Sequence, residues 1–499
     1  MESHRILDMI SSPADLKLLT NEELSILAAE IREQIIITTS KTGGHVAPSL
    51  GVVELILACH SVLNCPHDKL LFDVGHQAYA HKLVTGRLKD FDTLRQFGGL
   101  SGFPKASESE YDVHPSGHAS DSVSVALGLA MARDLRGTDE KIVTIIGDAA
   151  LSGGMAFEAL NHAGQLQTPM VIILNDNEMS ISRNVGALAR YLGEMRASRE
   201  YTRTRDSVQS VLEASGPLGR GLVDLGRNAK DSFKQMVIPG EMLFEKLGIT
   251  CTAPIPGHDI AALKRTLKVC LEADGPTLMH VVTKKGKGYE PAEENPSKFH
   301  GVGPFDIATG EVKKGSSTAP KYTSVFSKAI VAEAEADPDI VAITAAMKDG
   351  TGLAAFAEKF PKRFVDTGIA EEHAVALASG LALGGKKPVV CVYSTFMQRA
   401  FDQLIINNAL ANTNVVFCLD RAGLVGDDGP THHGVFDIAY CRMVPGVRMM
   451  APSDEAELVH MVHTALALEG PVVVRWPRGE ARGVELPSSA QVLEEGKSR

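Results

Sequence analysis

The chain has 499 residues, 44% hydrophobic and 22% charged, with a formal net charge of −11. That is ordinary for a globular protein of two or three domains, and the acidic balance excludes a broad electrostatic footprint for nucleic acid while leaving room for a local basic pocket. No apolar run approaches membrane-spanning length, the N-terminus lacks a signal-peptide apolar region, and seven cysteines scattered without a CxxC pair speak for a reducing cytoplasm rather than a disulfide framework or a zinc site.

Thr20 or Asn21 followed by Glu22-Glu23 marks a helix start, and LSILAAEIREQIIITTS continues it. Gly43-Gly44 breaks that helix and presents His45. A second helix is predicted from Pro48 through LGVVELILACHSVL, and Leu70–Val74 reads as a strand ending in Gly75-His76-Gln77. His45 and His76 thus sit at element ends, where either one taken singly also suits a surface or capping role. Residues 95–118 are rich in Gly, Ser and Pro and read as a loop leading to a helix start near Ser120-Asp121. Next come two β-branched runs, Ile142–Ile146 and Met170–Leu174, with the length of buried strands, and Gly153–Gln167 between them has helical character. This strand–helix–strand crossover puts Gly147-Asp148 and Asn175-Asp176-Asn177 at the carboxyl ends of parallel strands, where open α/β sheets bind ligands. Asp148 and Asn177 offer one charged and one neutral hard oxygen. That pair suits Mg²⁺ keeping its other positions for a diphosphate and water, and a helix starting near Gly153-Gly154 aims N–H groups at the same anion.

Residues 182–247 are charged and weakly patterned, with helical propensity; they read either as a mobile cover for the site mouth or as a solvated surface excursion. Lys284, Lys285 and Lys287 follow the strand TLMHVVT and form either a solvated face or a phosphate-facing site. Residues 306–322 read as a linker. The α/β rhythm then restarts, with strands predicted at Ile340–Thr344, Phe364–Gly368, Pro388–Tyr393, Val415–Asp420, Val447–Ala451 and Pro471–Trp476, and helices at Glu371–Leu383 and Asp454–Leu468. Glu371 stands at a strand-to-helix turn, where a first-turn acid is favoured by the helix dipole. Tyr393, Phe396 and Arg399 follow another strand, and Phe396 fits either a ring-stacking or a core-packing role. A glycine-rich loop carries Arg421, Asp428, His432 and His433; its GDDG lacks the ligand register of an EF-hand. Arg421 and Arg478 at separate strand tips suit a forked phosphate clamp, although each alone suits a surface ion pair. The predicted fold class is α/β, two doubly wound parallel-sheet domains over 1–310 and 319–499.

Asp148, the helix after it and Asn177 resemble the thiamine-diphosphate fingerprint, an acidic GDG with a downstream Asn. GMAFEALNHAG and NDNEMSIS, with YSTF, DRAG and THHG, narrow the resemblance to the 1-deoxy-D-xylulose-5-phosphate synthase family. The resemblance implies a transketolase-like fold, thiamine diphosphate and Mg²⁺ as cofactors, and a homodimer. The implied reaction condenses pyruvate with D-glyceraldehyde 3-phosphate, with loss of CO₂, to a precursor of isoprenoids, thiamine and pyridoxal. It implies catalytic roles for Glu371, His45, His76 and His432. Cofactor contacts would come from His76, Gly117, His118, Ala119, Asp148, Ala149, Ala150, Asn177, Lys287, Tyr289, Glu371, Phe396 and Arg399. Substrate contacts would come from His45, His300, Tyr393, Arg421, Asp428, His432 and Arg478. Asp148, Asn177 and the main-chain carbonyl of Met179 would hold the metal. Glu371 would pair with the cofactor's aminopyrimidine ring, and Glu372, where the family often has glutamine, is the reserve. The chain departs from the pattern in two places. Ala149 replaces the second glycine of GDG, which costs energy if that backbone needs positive φ, and the third α/β domain that would follow in the resembled family is read as absent. The alternatives are another thiamine-diphosphate enzyme such as a transketolase or 2-oxo-acid dehydrogenase, a non-catalytic cofactor-binding remnant, and a structural or assembly module.

Overall fold

Runs of isoleucine and valine become buried strands in both halves of the chain. The computed structural model describes residues 5–177, 185–197, 243–313 and 319–497, and the chain divides into two units, Met1–Lys313 and Lys314–Arg499.

Unit 1 is built on strands β1 (Lys69–Phe72), β2 (Ile142–Gly147), β3 (Val171–Asp176), β4 (Thr250–Cys251), β5 (Ile255–Pro256) and β6 (Thr277–Val282). Their order is β1-β2-β3-β6-β4, with β5 also beside β6, and every pairing is parallel. β3 is buried along its whole length and β2 up to Gly147, as expected when helices cover both faces of a parallel sheet. Helix Gly154–Leu166 is the crossover between them. Helix Asn21–Thr42 starts at Thr20 through a reciprocal capping box with Glu23. The single helix expected from Pro48 is two, Val46–Gly51 and Val53–Val62, parted at Val52 with φ −119° and ψ 12°. Gly51 passes close to the 284–285 backbone there: a Cβ on it would lie 3.1 Å from the Lys284 carbonyl oxygen.

Unit 2 has β7 (Ile340–Thr344), β8 (Phe364–Asp366), β9 (Lys387–Tyr393), β10 (Val416–Ala422), β11 (Arg448–Met450) and β12 (Val472–Pro477). The order is β11-β12-β10-β9-β7-β8, again all parallel. Trp476 stacks on Phe326 in its core, with ring centroids 4.7 Å apart. Helices Glu371–Leu383 and Glu455–Ala467 lie where the apolar pattern places them, the second capped by Asp454.

The predicted linker is shorter than 306–322. Phe305 bridges to Val312, so 306–313 folds onto unit 1, and helix Tyr322–Ala336 already belongs to unit 2. The reading of 182–247 as a cover or surface excursion falls mostly outside the described residues, which hold only helices Ala187–Ala197 and Leu243–Lys246 there. All seven cysteines are free thiols. Among the described residues no helix is long and apolar enough to cross a membrane.

Candidate active site

In unit 1 the tip of β2 sets Asp148 beside the Asn175-Asp176 end of β3. Gly147 pairs in register with Asn175, and the Asp148 N–H donates to the Asn175 carbonyl at 3.3 Å. The Asp148 carboxyl is pushed up to about 7, first by burial and then by the adjoining Asp176 carboxyl. Asp176 Oδ2 also meets His280 Nε2 at 2.8 Å, both side chains fully buried. Asn175 accepts from Thr283 Oγ1 at 2.6 Å, and Asn177 follows half-buried at the end of β3. Two adjoining buried carboxyls repel one another when ionised, and such hard oxygens are a donor type that fits a divalent cation. Met179, expected to add its carbonyl, lies outside the described residues. Ala149 sits at φ −67° and ψ −43°, so the steric cost anticipated for alanine does not arise.

The segment with Gly117, His118 and Ala119 is tied down at both ends. Ser116 Oγ donates to the Phe72 carbonyl at 3.1 Å. Asp73, just past β1, accepts from the Ser120 N–H at 2.8 Å and the Ser122 N–H at 3.2 Å. Ser120 is held at φ 76°, a conformation costly outside glycine, and its hydroxyl donates to the Ala150 carbonyl at 2.7 Å. Burial pushes the Asp73 carboxyl up to about 6.

Three predicted histidines converge in the same unit. His45 lies 5.8 Å from His76 and 6.2 Å from His300 between ring centroids, and His76 lies 5.0 Å from His300. Phe103 packs on His45 at 5.2 Å, and the His45 N–H donates to the Tyr79 hydroxyl at 3.0 Å. The lysine that joins them is Lys285, buried with Nζ 3.0 Å from His300 Nδ1. Lys287, favoured by the resemblance, is only half-buried. Tyr289 turns its hydroxyl to the Ile307 carbonyl at 2.8 Å and packs its ring against Phe299 and Phe305. Lys285 and Asp176 appear in the sequence reading only as members of the lysine run and the Asn-Asp-Asn run, and Asp73 and His280 are not named there at all.

Unit 2 carries a second cluster. Glu371, the first residue of its helix, is 4% exposed, and burial pushes its carboxyl up to about 7 against the pull of Arg399, 3.9 Å away. Its Oε2 has no hydrogen-bond partner among the described residues. The Glu372 side chain is 35% exposed, so burial separates the two candidates in favour of Glu371. Tyr393 ends β9 beneath the Arg421 guanidinium, 3.9 Å from its ring centroid, and stacks on Phe396 at 5.6 Å. Phe396 is half-buried and meets His432 edge-on at 5.5 Å. A register shift in β10 and φ 59° at Arg421 re-aim that side chain. Asp428 lies 3.7 Å from Arg421 and 3.3 Å from Arg478, and Arg478 also donates to the Val425 carbonyl at 3.0 Å. Two guanidiniums therefore converge on one carboxylate.

Two parallel α/β units with carboxylates, histidines and arginines at their strand tips place the chain in the transketolase-like class, and residues 318–484 match the family model described as transketolase, pyrimidine binding domain. Residues 7–283 match that of 1-deoxy-D-xylulose-5-phosphate synthase. A protein of that name from Syntrophomonas wolfei is 52% identical over 495 residues, covering 99% of this chain and 77% of its own. Another, from Desulforudis audaxviator, is 54% identical over 499 residues, covering 98% and 78%. The chain belongs to the 1-deoxy-D-xylulose-5-phosphate synthase family.

Proposed function

We propose that this chain condenses pyruvate with D-glyceraldehyde 3-phosphate to 1-deoxy-D-xylulose 5-phosphate and CO₂, with the two strand-tip clusters as its working groups. The observation that carries the reading is the buried Glu371 carboxyl, whose Oε2 has no hydrogen-bond partner among the described residues. A cofactor ring nitrogen is the partner such a carboxyl lacks, and a pKa near neutrality lets it hold or release a proton at working pH. When bound, thiamine diphosphate supplies the electron sink for decarboxylation and carbon–carbon bond formation. Asp148, Asn177 and the Met179 carbonyl would hold Mg²⁺ and through it the diphosphate, beside Gly117, His118, Ala119 and Ala150. Phe396 and Tyr393 would flank the ring system. His45, His76 and His432 would move protons or donate to substrate oxygens. Arg421 and Arg478 would grip the acceptor phosphate, and Asp428, fixed between them, would accept from an acceptor hydroxyl.

The cytoplasm is the proposed location, supported by thiols that stay free even where Cys391 and Cys418 sit side by side on β9 and β10. A homodimer is part of the reading. Exposed Leu424, Val435, Phe436 and Ile438 cluster around the Gly423–Gly434 bridge and offer an apolar surface for a second copy. The test is product analysis with thiamine diphosphate, Mg²⁺, pyruvate and the triose phosphate. Formation of the deoxyxylulose phosphate with stoichiometric CO₂ is expected. Ketol transfer between sugar phosphates without pyruvate consumption would point to transketolase chemistry instead.

A further inference from the structure

Proximity alone does not divide the labour among His45, His76 and His300. Lys285 does so for His300. Its Nζ lies 3.0 Å from His300 Nδ1. An ammonium has three N–H donors and no lone pair, so Nδ1 is the acceptor, and a neutral imidazole that accepts at Nδ1 carries its proton on Nε2. We infer that Lys285 is a positioning residue that locks His300 in the neutral, Nε2-protonated tautomer, making His300 a fixed hydrogen-bond donor to a substrate oxygen rather than the base that removes a proton.

The surroundings point the same way. Lys285, His76 and His45 all face the His300 ring, and burial with these neighbours holds its pKa well below the ordinary imidazole value. Burial pulls Lys285 down to about 8, while Asp148 at the tip of β2 favours its charged form. The lysine's own segment is held rigidly. The Lys284 N–H donates to His258 Nε2 at 2.9 Å, and His258 Nδ1 meets Glu54 at 3.0 Å. A backbone N–H can only donate, so His258 keeps its proton on Nδ1 for Glu54. The Gly286 N–H donates to the Ala47 carbonyl at 2.9 Å, which ties this loop to the helix next to His45. Two histidines thus have their tautomers set by donors from adjacent residues, and the arrangement at His258 fixes the backbone from which Lys285 reaches His300.

The substrate-oxygen part of this inference rests on the proposed reaction; the tautomer does not. The experiment is a long-range ¹H–¹⁵N correlation on the cofactor-free chain labelled with ¹⁵N-histidine, with H300Q identifying the His300 signals. A protonated Nε2 and bare Nδ1 are expected for wild type at about pH 7 and below, where Lys285 keeps its charge, and for K285R throughout the neutral range. K285M should mix the tautomers or let the ring titrate near its ordinary value. A proton on Nδ1 in wild type, or an unaltered ring in folded K285M, overturns the lock. In steady-state assays H300Q, which keeps an N–H donor but cannot shuttle a proton, should lose less turnover than H300A. Equal losses of roughly 10²- to 10⁴-fold, the range for a general acid–base group, overturn the donor role. A wild-type chain that forms no deoxyxylulose phosphate would sink the proposed reaction while the ring spectra still decide the tautomer.

Discussion

Replacing Glu371 by Gln should stabilise the cofactor-free protein at alkaline pH while removing its activity. The folded chain holds the Glu371 proton up to about 7, against 4.5 for an unperturbed glutamate. Between those values the unfolded chain binds fewer protons than the folded one, so stability falls as pH rises through the window. Each pH unit is worth about 1.4 kcal/mol, so by about pH 8 ionising this buried carboxyl has withdrawn up to about 3 kcal/mol from folding. The neutral amide of E371Q pays none of that. The variant should match wild type near pH 4 and exceed it near pH 8. The chain's one tryptophan, Trp476, lies in the core of the same unit, so its fluorescence during urea unfolding reports the relevant transition. Turnover should fall by roughly 10²- to 10⁴-fold, the range for loss of a general acid–base group. An E371Q variant that is no more stable than wild type at pH 8, or one that keeps full turnover, would refute the reasoning.

Arg421→Met and Arg478→Met should each lower kcat/KM for the phosphorylated acceptor by about 10- to 100-fold, the worth of a charged hydrogen bond, with the KM for pyruvate little changed; steady-state kinetics with each substrate varied in turn decides this. Ala149→Gly should cost up to about 1 kcal/mol of stability, because the site is already right-handed helical at φ −67°, and should not tighten cofactor binding by calorimetry. Asp73→Ala strips the Ser120 and Ser122 N–H groups of their acceptor. It should destabilise unit 1 by roughly 1–3 kcal/mol in scanning calorimetry and weaken thiamine diphosphate binding.

Much of the architecture was legible because the decisive signals are local. The run Ile340–Thr344 and the helix Glu371–Leu383 appear with the ends their sequences suggest, since β-branched periodicity and a strand-to-helix turn need no distant partner. The strands β4 and β5, two residues each, are too short to carry a period. Val52 leaves the helical region beside a loop more than two hundred residues downstream, and nothing near it in the chain announces that. Among the site residues, Lys284, Lys285 and Lys287 are chemically identical and nearly adjacent. Only the fold makes one of them a buried neighbour of His300 and leaves Lys284 exposed.

The Asn-Asp-Asn run that ends β3 shows the same limit with a functional consequence. A strand turns successive side chains to opposite faces. Asn175 goes to Thr283, and Asp176 goes to His280 and the Asp148 carboxyl. The sequence reading names the whole run as strand-end oxygen groups and credits Asn177, not Asp176, with the metal, as the neutral oxygen beside Asp148. Once the register places Asp176 beside Asp148, the middle residue becomes the one that loads the site with negative charge. A cation bound there relieves a repulsion the fold has already built, so cation affinity should depend on Asp176 as well as on the two expected ligands. Asp176→Asn should therefore weaken Mg²⁺ binding in a titration followed by calorimetry, even though His280 can still hydrogen-bond the amide. Unchanged affinity would mean that the paired carboxyls play no part in holding the ion.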